Sequence, residues 1–435
     1  GVCEMYMYGQ LLDPKTDGRD YHISCCGYQL QSGGSSYIAP NTFVDDGQEM
    51  TIAGINIQFM QTGGESASHI AVYLPAQKIL LTGDEIQGPN YPNLHSLRGT
   101  KARDAEKWLR ALDKMRRLEI DYLVPSHGPP VFGSEQSQRV LTLYRDVIQY
   151  THDQSIRYIN KGYTQDELAN TIKLPSYLDV DPWTKEMYGT VKHNVRAYYT
   201  SYISWWSGDP AELDPIPRIE KASRYIKLMG GRDAVFTAAE KAFFDKDYQW
   251  ASELTALLVR VDKQDIPARQ LKAAALRAIG YATANTNWRG FYLTSALELE
   301  GKVDPGKVLA GLRKASFTPD KMTTAQLFNV QRFYVDAETI KDKHLKIGFN
   351  FSDTKEQFTL EIRNSILDIH TELLADNDAT LTLSRDTLNK TFTKETSYAN
   401  AIAEGLISID GSKLALLSYA KAFDMEAATP YLSLQ

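Results

Sequence analysis

The sequence is short of cysteine, of long apolar runs and of an excess of either charge, and each shortage removes a class of protein. Three cysteines in 435 residues (Cys3, Cys25 and Cys26) are too few for a disulfide framework and lack the paired spacing of a zinc ribbon. Adjacent Cys25 and Cys26 do not bridge each other without strain and read as buried or idle thiols. No uninterrupted apolar stretch approaches the ~18–20 residues of a membrane-spanning helix. With 48 Lys and Arg against 54 Asp and Glu, a formal charge of −6, the chain carries no basic footprint for nucleic acid. The first residue is Gly1 rather than Met, and no signal-peptide pattern follows it, so the chain is expected to begin after a segment that was removed or left out. What remains is an ordinary globular composition, 43% hydrophobic and 23% charged. Its length suits roughly two to four domains.

Three textures follow one another. From Gly1 to about Gly133, short apolar runs alternate with Gly and Pro. Ile52–Phe59, Ile70–Leu74, Ile79–Leu81 and Tyr122–Val124 read as strands. Thr100–Leu118 places Ala105, Trp108, Leu109, Leu112 and Met115 on one face of an amphipathic helix. Strand, strand, helix, strand is an α/β layer. From about Ser134 to Gly301 the pattern is helical. It holds Gln138–Asn160, a capping-box pair Thr164 and Glu167, and helices over Asp233–Asp245, Tyr248–Val261 and Pro267–Thr283. Beyond Asp304, alternation returns in Leu345–Phe351, Phe358–Ile362, Leu381 with Leu383, and Ile407 with Ile409, before a helix from Lys413 to about Phe423. This predicts an α+β domain with a one-sided sheet. The expected domains are 1–134, 135–303 and 304–435.

Only the first stretch carries a plausible catalytic constellation. Gly63-Gly64-Glu65-Ser66-Ala67-Ser68-His69 leads into one strand, Thr82-Gly83-Asp84-Glu85 leaves the next, and Pro125-Ser126-His127-Gly128 leaves a third. Each puts a potential metal ligand on a Gly-bounded loop at a strand end, where a rigid sheet mounts functional groups. Imidazole and carboxylate are ligands that zinc accepts, and a carboxylate can bridge two ions. Taken singly, each has a structural reading: a satisfied histidine, or a turn. Their order and repeated strand-end placement favour metal chemistry.

The segments GGESASHIAVYLP, LLTGDE and LVPSHGPP resemble the later ligand motifs of the metallo-β-lactamase superfamily. PNLHSLRGTKARDAEKWLRALDKM, YRDVIQYTHDQSIRYINKGYTQDELA, YGTVKHNVRAYYTSYISWWSGDPAEL and NTNWRGFYLTSALEL resemble its alkyl sulfatases. The match at the C-terminal end rests on LKIGFNFSDTKEQFTLEIRN and DATLTLSRDTL. The resemblance implies the C-terminal half of an αββα metallo-β-lactamase-like α/β domain, an all-α dimerisation domain and an α+β domain similar to sterol carrier protein 2. It implies a binuclear zinc site with His69, Asp84 and His127 as ligands, Asp84 bridging, and Glu85 as a further candidate beside it. The superfamily's first motif, His-x-His-x-Asp-His, is not found: the chain has eight His, none so spaced. Half of the ligands are therefore expected from an N-terminal segment or partner fragment. His69 stands where many alkyl sulfatases carry Glu, a departure from the subfamily pattern but not from the wider superfamily.

Asn93-Leu94-His95-Ser96-Leu97-Arg98-Gly99 matches the family's Asn-Leu-x-x-Leu-Arg-Gly, so Asn93 and Arg98 would hold sulfate oxygens, the guanidinium as a planar fork. Arg98 could instead cap or pair with the following helix. By resemblance Tyr199 would contact the sulfate, and His193 could donate a proton with an intrinsic pKa suited to neutrality. The structural alternative is aromatic packing among Tyr198, Tyr199, Tyr202, Trp205 and Trp206. The leading expectation is a zinc-dependent hydrolase of alkyl sulfate esters, acting on an amphiphilic substrate as a homodimer, with a C-terminal domain that either collects the alkyl chain or only packs. Two competitors are a hydrolase of the same fold acting on another ester, lactone or phosphodiester, and a non-catalytic dimeric lipid-binding scaffold. Location is open between periplasm, secretion and cytoplasm.

Overall fold

The computed structural model describes residues 2–13, 15, 23–24, 27–28, 40–95, 97, 101–316, 318–424 and 432–434. Cys25, Cys26 and Arg98 lie outside the described residues. The chain forms two compact units, 1–305 with 430–435, and 306–429.

In the first unit a two-stranded ribbon, β1 (Ile23–Ser24) and β2 (Gly27–Tyr28), precedes a six-stranded sheet. The sheet comprises β3 (Glu49–Ile52), β4 (Ile55–Gln61), β5 (Ile70–Leu74), β6 (Ile79–Gly83), β7 (Tyr122–Pro125) and β8 (Val131–Phe132), in that spatial order. The run 52–59, expected as one strand, is a hairpin. Ala53 and Gly54 turn with φ of 50° and 82°, the double positive φ of a tight two-residue turn, and Ile52 pairs with Ile55. Neighbouring strands are antiparallel except β6 and β7, which run parallel. A parallel pair needs a crossover. The helix Ala105–Met115, capped by the Asp104 carboxylate on the Lys107 N–H, lies in that connection. It buries Trp108, Leu112 and Met115 in one core with Leu80, Leu123 and Leu141. The helix Ser134–Ile159 contributes Val140, Leu141, Tyr144 and Ile148 to the same core.

Helices Gln165–Thr171, with the expected Thr164/Glu167 capping box, and Val191–Tyr202 pack on Ser134–Ile159. Arg218–Leu228, Arg232–Phe244, Tyr248–Val261, Ile266–Ala282 and Thr286–Leu299 complete the helical part, with Leu254, Leu258, Val259 and Leu299 in a separate core. Among the described residues, no helix is long and apolar enough to cross a membrane.

The second unit has a mixed five-stranded sheet ordered β11-β10-β9-β12-β13, from β9 (Leu345–Phe351), β10 (Gln357–Arg363), β11 (Ile366–His370), β12 (Ala379–Leu383) and β13 (Ile407–Gly411). Only β9 and β12 pair in parallel. Phe349, Phe351, Phe358 and Leu360 pack with Phe328 of the helix Thr324–Gln331. The sheet is not one-sided as the alternation suggested. On the other face Thr359 and Glu361 are buried too, and a Cβ on Gly348 would lie 2.6 Å from Leu373 Cδ1, because the 371–378 connection folds over that face.

Candidate metal centre

The three ligand-bearing loops meet because of strand direction. Parallel β6 and β7 end side by side, and antiparallel β5 begins at that same end. His69 enters β5, Asp84 follows β6 and His127 follows β7. The Asp84 amide donates to His69 Nε2 at 2.9 Å, and His127 Nε2 lies 3.4 Å from Asp84 Oδ1. Gly83, at φ 55°, permits the approach: a Cβ there would sit 2.5 Å from His69 Cε1. Thr62 Oγ1, at the end of β4, lies 2.9 Å from His69 Nδ1, so with Nε2 accepting, the ring proton sits on Nδ1 and points to Thr62.

Behind this corner Glu85 is fully buried. Its Oε1 accepts from the Gly64 and Glu65 amides at 2.9 and 3.3 Å, and its carbonyl accepts from Trp108 Nε1 at 3.0 Å. Burial pushes its carboxyl above the usual range, opposed by Thr62, His69 and the two amides. Gly64 has no room for a side chain, since a Cβ would fall 2.4 Å from Glu85 Oε2. Glu85 thus braces the Gly63–His69 loop from below. Arg103, which sequence reasoning missed, ties Glu65 to the carbonyl of Asn93, joining two loops around the corner.

The donor set suits zinc in kind, two imidazoles and a carboxylate at one corner, with His69 able to ligate through Nε2 only by giving up the Asp84 amide. Asp84 Oδ1 is buried and accepts no hydrogen bond among the described residues, the condition that a cation would relieve. The His, Cys, Asp and Glu atoms that do lie mutually within 4.8 Å, among the described residues, are those of Glu361, Asp368 and His370 in the second unit.

The loop after Asp84 runs to the start of the helix Val191–Tyr202. Asn93 is buried. Its amide donates to Gln87 Oε1 at 2.8 Å, and its Oδ1 accepts from the His95 N–H at 3.2 Å. Asn194 clamps this loop to the helix, its Oδ1 accepting from the Leu94 amide at 3.1 Å and its Nδ2 donating to the Pro92 carbonyl at 3.0 Å. One residue earlier, His193 caps no strand or loop but sits against Trp288, whose Nε1–H points to its Nδ1 at 3.4 Å. Burial, and then the charges of Arg196 and His95, pull its pKa down to about 4. The intrinsic value assumed from sequence does not survive that environment, and His193 is neutral near pH 7. Tyr199, one and a half turns on, donates to the carbonyls of Trp206 and Ser207 at 3.2 Å each, holding the turn that follows the helix. The structure thus gathers His69, Asp84 and His127, brings Asn93 beside the helix bearing His193, and sets the Tyr199 hydroxyl on two backbone carbonyls. Asn194, Gln87 and Glu85 carried no motif signal of their own.

Three family profiles match successive stretches of the chain. Residues 6–127 match the profile of the metallo-beta-lactamase superfamily, 164–302 that of alkyl sulfatase dimerisation, and 315–428 that of the alkyl sulfatase C-terminal region. A linear primary-alkylsulfatase from a Pseudomonas strain is 41% identical over 97% of this chain and 81% of its own length. A second Pseudomonas linear primary-alkylsulfatase is 34% identical over 96% of this chain, which spans 63% of that protein. An alkyl/aryl-sulfatase from Saccharomyces cerevisiae is 30% identical, the chain spanning 65% of it. The solved structure of a stereoselective inverting sec-alkylsulfatase from Pseudomonas superposes with a TM-score of 0.87 at 29% identity, covering 98% of this chain and 67% of that one.

Proposed function

This chain belongs to the alkyl sulfatase family of the metallo-β-lactamase superfamily, and on that premise we propose that it hydrolyses alkyl sulfate esters, releasing inorganic sulfate and an alcohol, with zinc as its metal. The observation that carries the reading is the buried Asp84 Oδ1, which accepts no hydrogen bond among the described residues and lies 3.4 Å from His127 Nε2 at one end of the sheet. His69, Asp84 and His127 would hold metal, and bound zinc supplies the acidity that turns water into hydroxide near neutrality. A binuclear centre needs more ligands than these three, and we assign the remainder to a segment outside the 435 residues.

The chain's own residues orient the ester. Asn93, and Arg98 five residues on, offer an amide and a guanidinium to the sulfate oxygens. His193 accepts from Trp288 at Nδ1, so its proton sits on Nε2, where a neutral imidazole donates a hydrogen bond without carrying charge. Tyr199 acts by position, through the turn it holds. Homodimerisation is supported by the apolar side chains that the helical part leaves uncovered, Leu228 and Phe244 at 83% and 79% exposure, with Ile219 and Trp250.

The test is sulfate release from decyl sulfate by protein purified with any associated fragment retained, alongside zinc per chain by elemental mass spectrometry. Turnover together with about two zinc ions per chain that are lost in His69→Ala/Asp84→Asn/His127→Ala supports the proposal. No zinc and no sulfate overturns it and leaves the non-catalytic scaffold.

A further inference from the structure

On the face of the C-terminal sheet turned away from its aromatic core, two carboxylates stand directly opposite each other. The register pairs Glu361 of β10 with Asp368 of β11, and His370 is the next residue on the same face of β11. Like charges so placed across an antiparallel pair destabilise it unless a cation stands between them. Here the compensation comes from three nitrogen groups. His344 Nε2 donates to Glu361 Oε1 at 2.7 Å, His370 Nε2 to Glu361 Oε2 at 3.0 Å, and Arg363 bridges Glu361 and Asp368. These neighbours hold the Glu361 carboxyl, His344 foremost, far down, at about 2.

We propose that Glu361, Asp368 and His370, with His344 as fourth donor, form a binding site for a zinc-class divalent cation in the C-terminal unit. Two imidazoles and two carboxylates are a donor set that zinc accepts. The Glu361, Asp368 and His370 donors lie within 4.8 Å of one another, the span of one ion, and the exposed His344 would swing in as the fourth. Donors at about 2.0–2.1 Å around a tetrahedral centre lie about 3.3 Å apart. His370 Nε2 is 3.0 Å from Glu361 Oε2 and 3.8 Å from Asp368 Oδ2, on either side of that value. Three of the four ligands sit on paired strands, whose ladder fixes their backbones before any ion arrives. Glu361 is 7% exposed, covered by its partners at the sheet surface, whereas the His344 side chain is 65% exposed and gives a way in. Binding moves each imidazole's proton from Nε2 to Nδ1, which frees the Nε2 lone pair for the ion, and turns Arg363 outward from Asp368. Arg363, itself part exposed, needs no other rearrangement to do so.

The site is tested on the full chain in a His69→Ala/Asp84→Asn/His127→Ala background, which removes the candidate metal centre of the other unit. Equilibrium dialysis against zinc alone at pH 7.5, followed by elemental mass spectrometry, should retain about one zinc per chain, and cobalt(II) in its place should give the intense visible bands of a tetrahedral N/O site. His370→Asn should weaken zinc binding by at least about 100-fold, and the exposed His344→Asn by about 10-fold. If the background variant does not fold, wild type against His370→Asn decides by the loss of one equivalent. Absence of zinc at ~100 µM, or one equivalent indifferent to His370→Asn, would overturn the proposal; the second result would place that zinc elsewhere.

Discussion

The two units mount the same residue types in opposite ways. In the first, histidines and carboxylates ride on loops at the end of a sheet, and backbone amides and glycines hold them in place. Asp84 Oδ1 is left buried without a hydrogen bond among the described residues. In the second, they stand on strand faces, and each oxygen of Glu361 is already engaged by an imidazole. A loop site can leave valence unspent because the sheet below carries the fold. A strand site must balance its charges locally, because the ladder presses like charges together. The first arrangement suits turnover and the second suits a resident ion.

Asp84→Asn puts the greatest strain on this comparison. It should lower sulfate release by about 1,000-fold or more, since the metal's contribution is worth several kcal/mol, while leaving zinc at the C-terminal site untouched. Comparable turnover in the variant would remove the loop corner from the chemistry. Next, Trp108→Ala empties the first unit's core and frees the Glu85 carbonyl, and should cost about 3–5 kcal/mol there. Hydrogen exchange read by mass spectrometry should show faster exchange in the β4–β7 strands with little change in β9–β12.

The units should also differ in their response to acid. His193 has a folded pKa below its unfolded value, so its contribution is present above about pH 6.5 and is lost as pH falls towards 4, up to about 3 kcal/mol. The difference between wild type and His193→Gln in denaturant unfolding isolates this from the opposing effect of Glu85, whose raised pKa favours the fold at lower pH. Glu361 is also depressed, but its stabilisation is lost only as pH falls from about 4.5 to 2, so the second unit should outlast the first on acidification. Equal acid midpoints in both units would contradict this ordering. The smallest effect is expected of Tyr199→Phe, about 1 kcal/mol in stability and less than about threefold in turnover. A loss of 100-fold would return Tyr199 to the sulfate.

Much of this was legible in the chain. The helices at Tyr248–Val261 and Ile266–Ala282, the Thr164/Glu167 box and the strands β5 and β9 follow from periodicity and capping chemistry, which are local. The hairpin at Ala53–Gly54 was missed because Ala-Gly lacks the Asn-Gly or Asp-Gly signature, and the positive φ of Ala53 is imposed by the pairing of β3 with β4. Strand β11 was missed because Asp368 and His370 occupy the alternation where polar residues mark a solvent face, and here they line the charged cluster. His69, Asp84 and His127 could be named from their motifs, but Glu85, Arg103 and Asn194 could not. Their work is done across separations of 21, 38 and 100 residues.

By itself the sequence determined which side chains could bind metal and where strands and helices begin, because ligand chemistry and periodicity belong to single residues and their near neighbours. Tertiary structure alone decided that three loops 15 and more residues apart converge, since convergence follows from the parallel pairing of β6 with β7 and the antiparallel return of β5. It also decided the charge states. Burial makes His193 neutral, and hydrogen bonds from His344, His370 and Arg363 fix Glu361 as an anion, because the free energy of a charge depends on what surrounds it in space and not on its place in the chain.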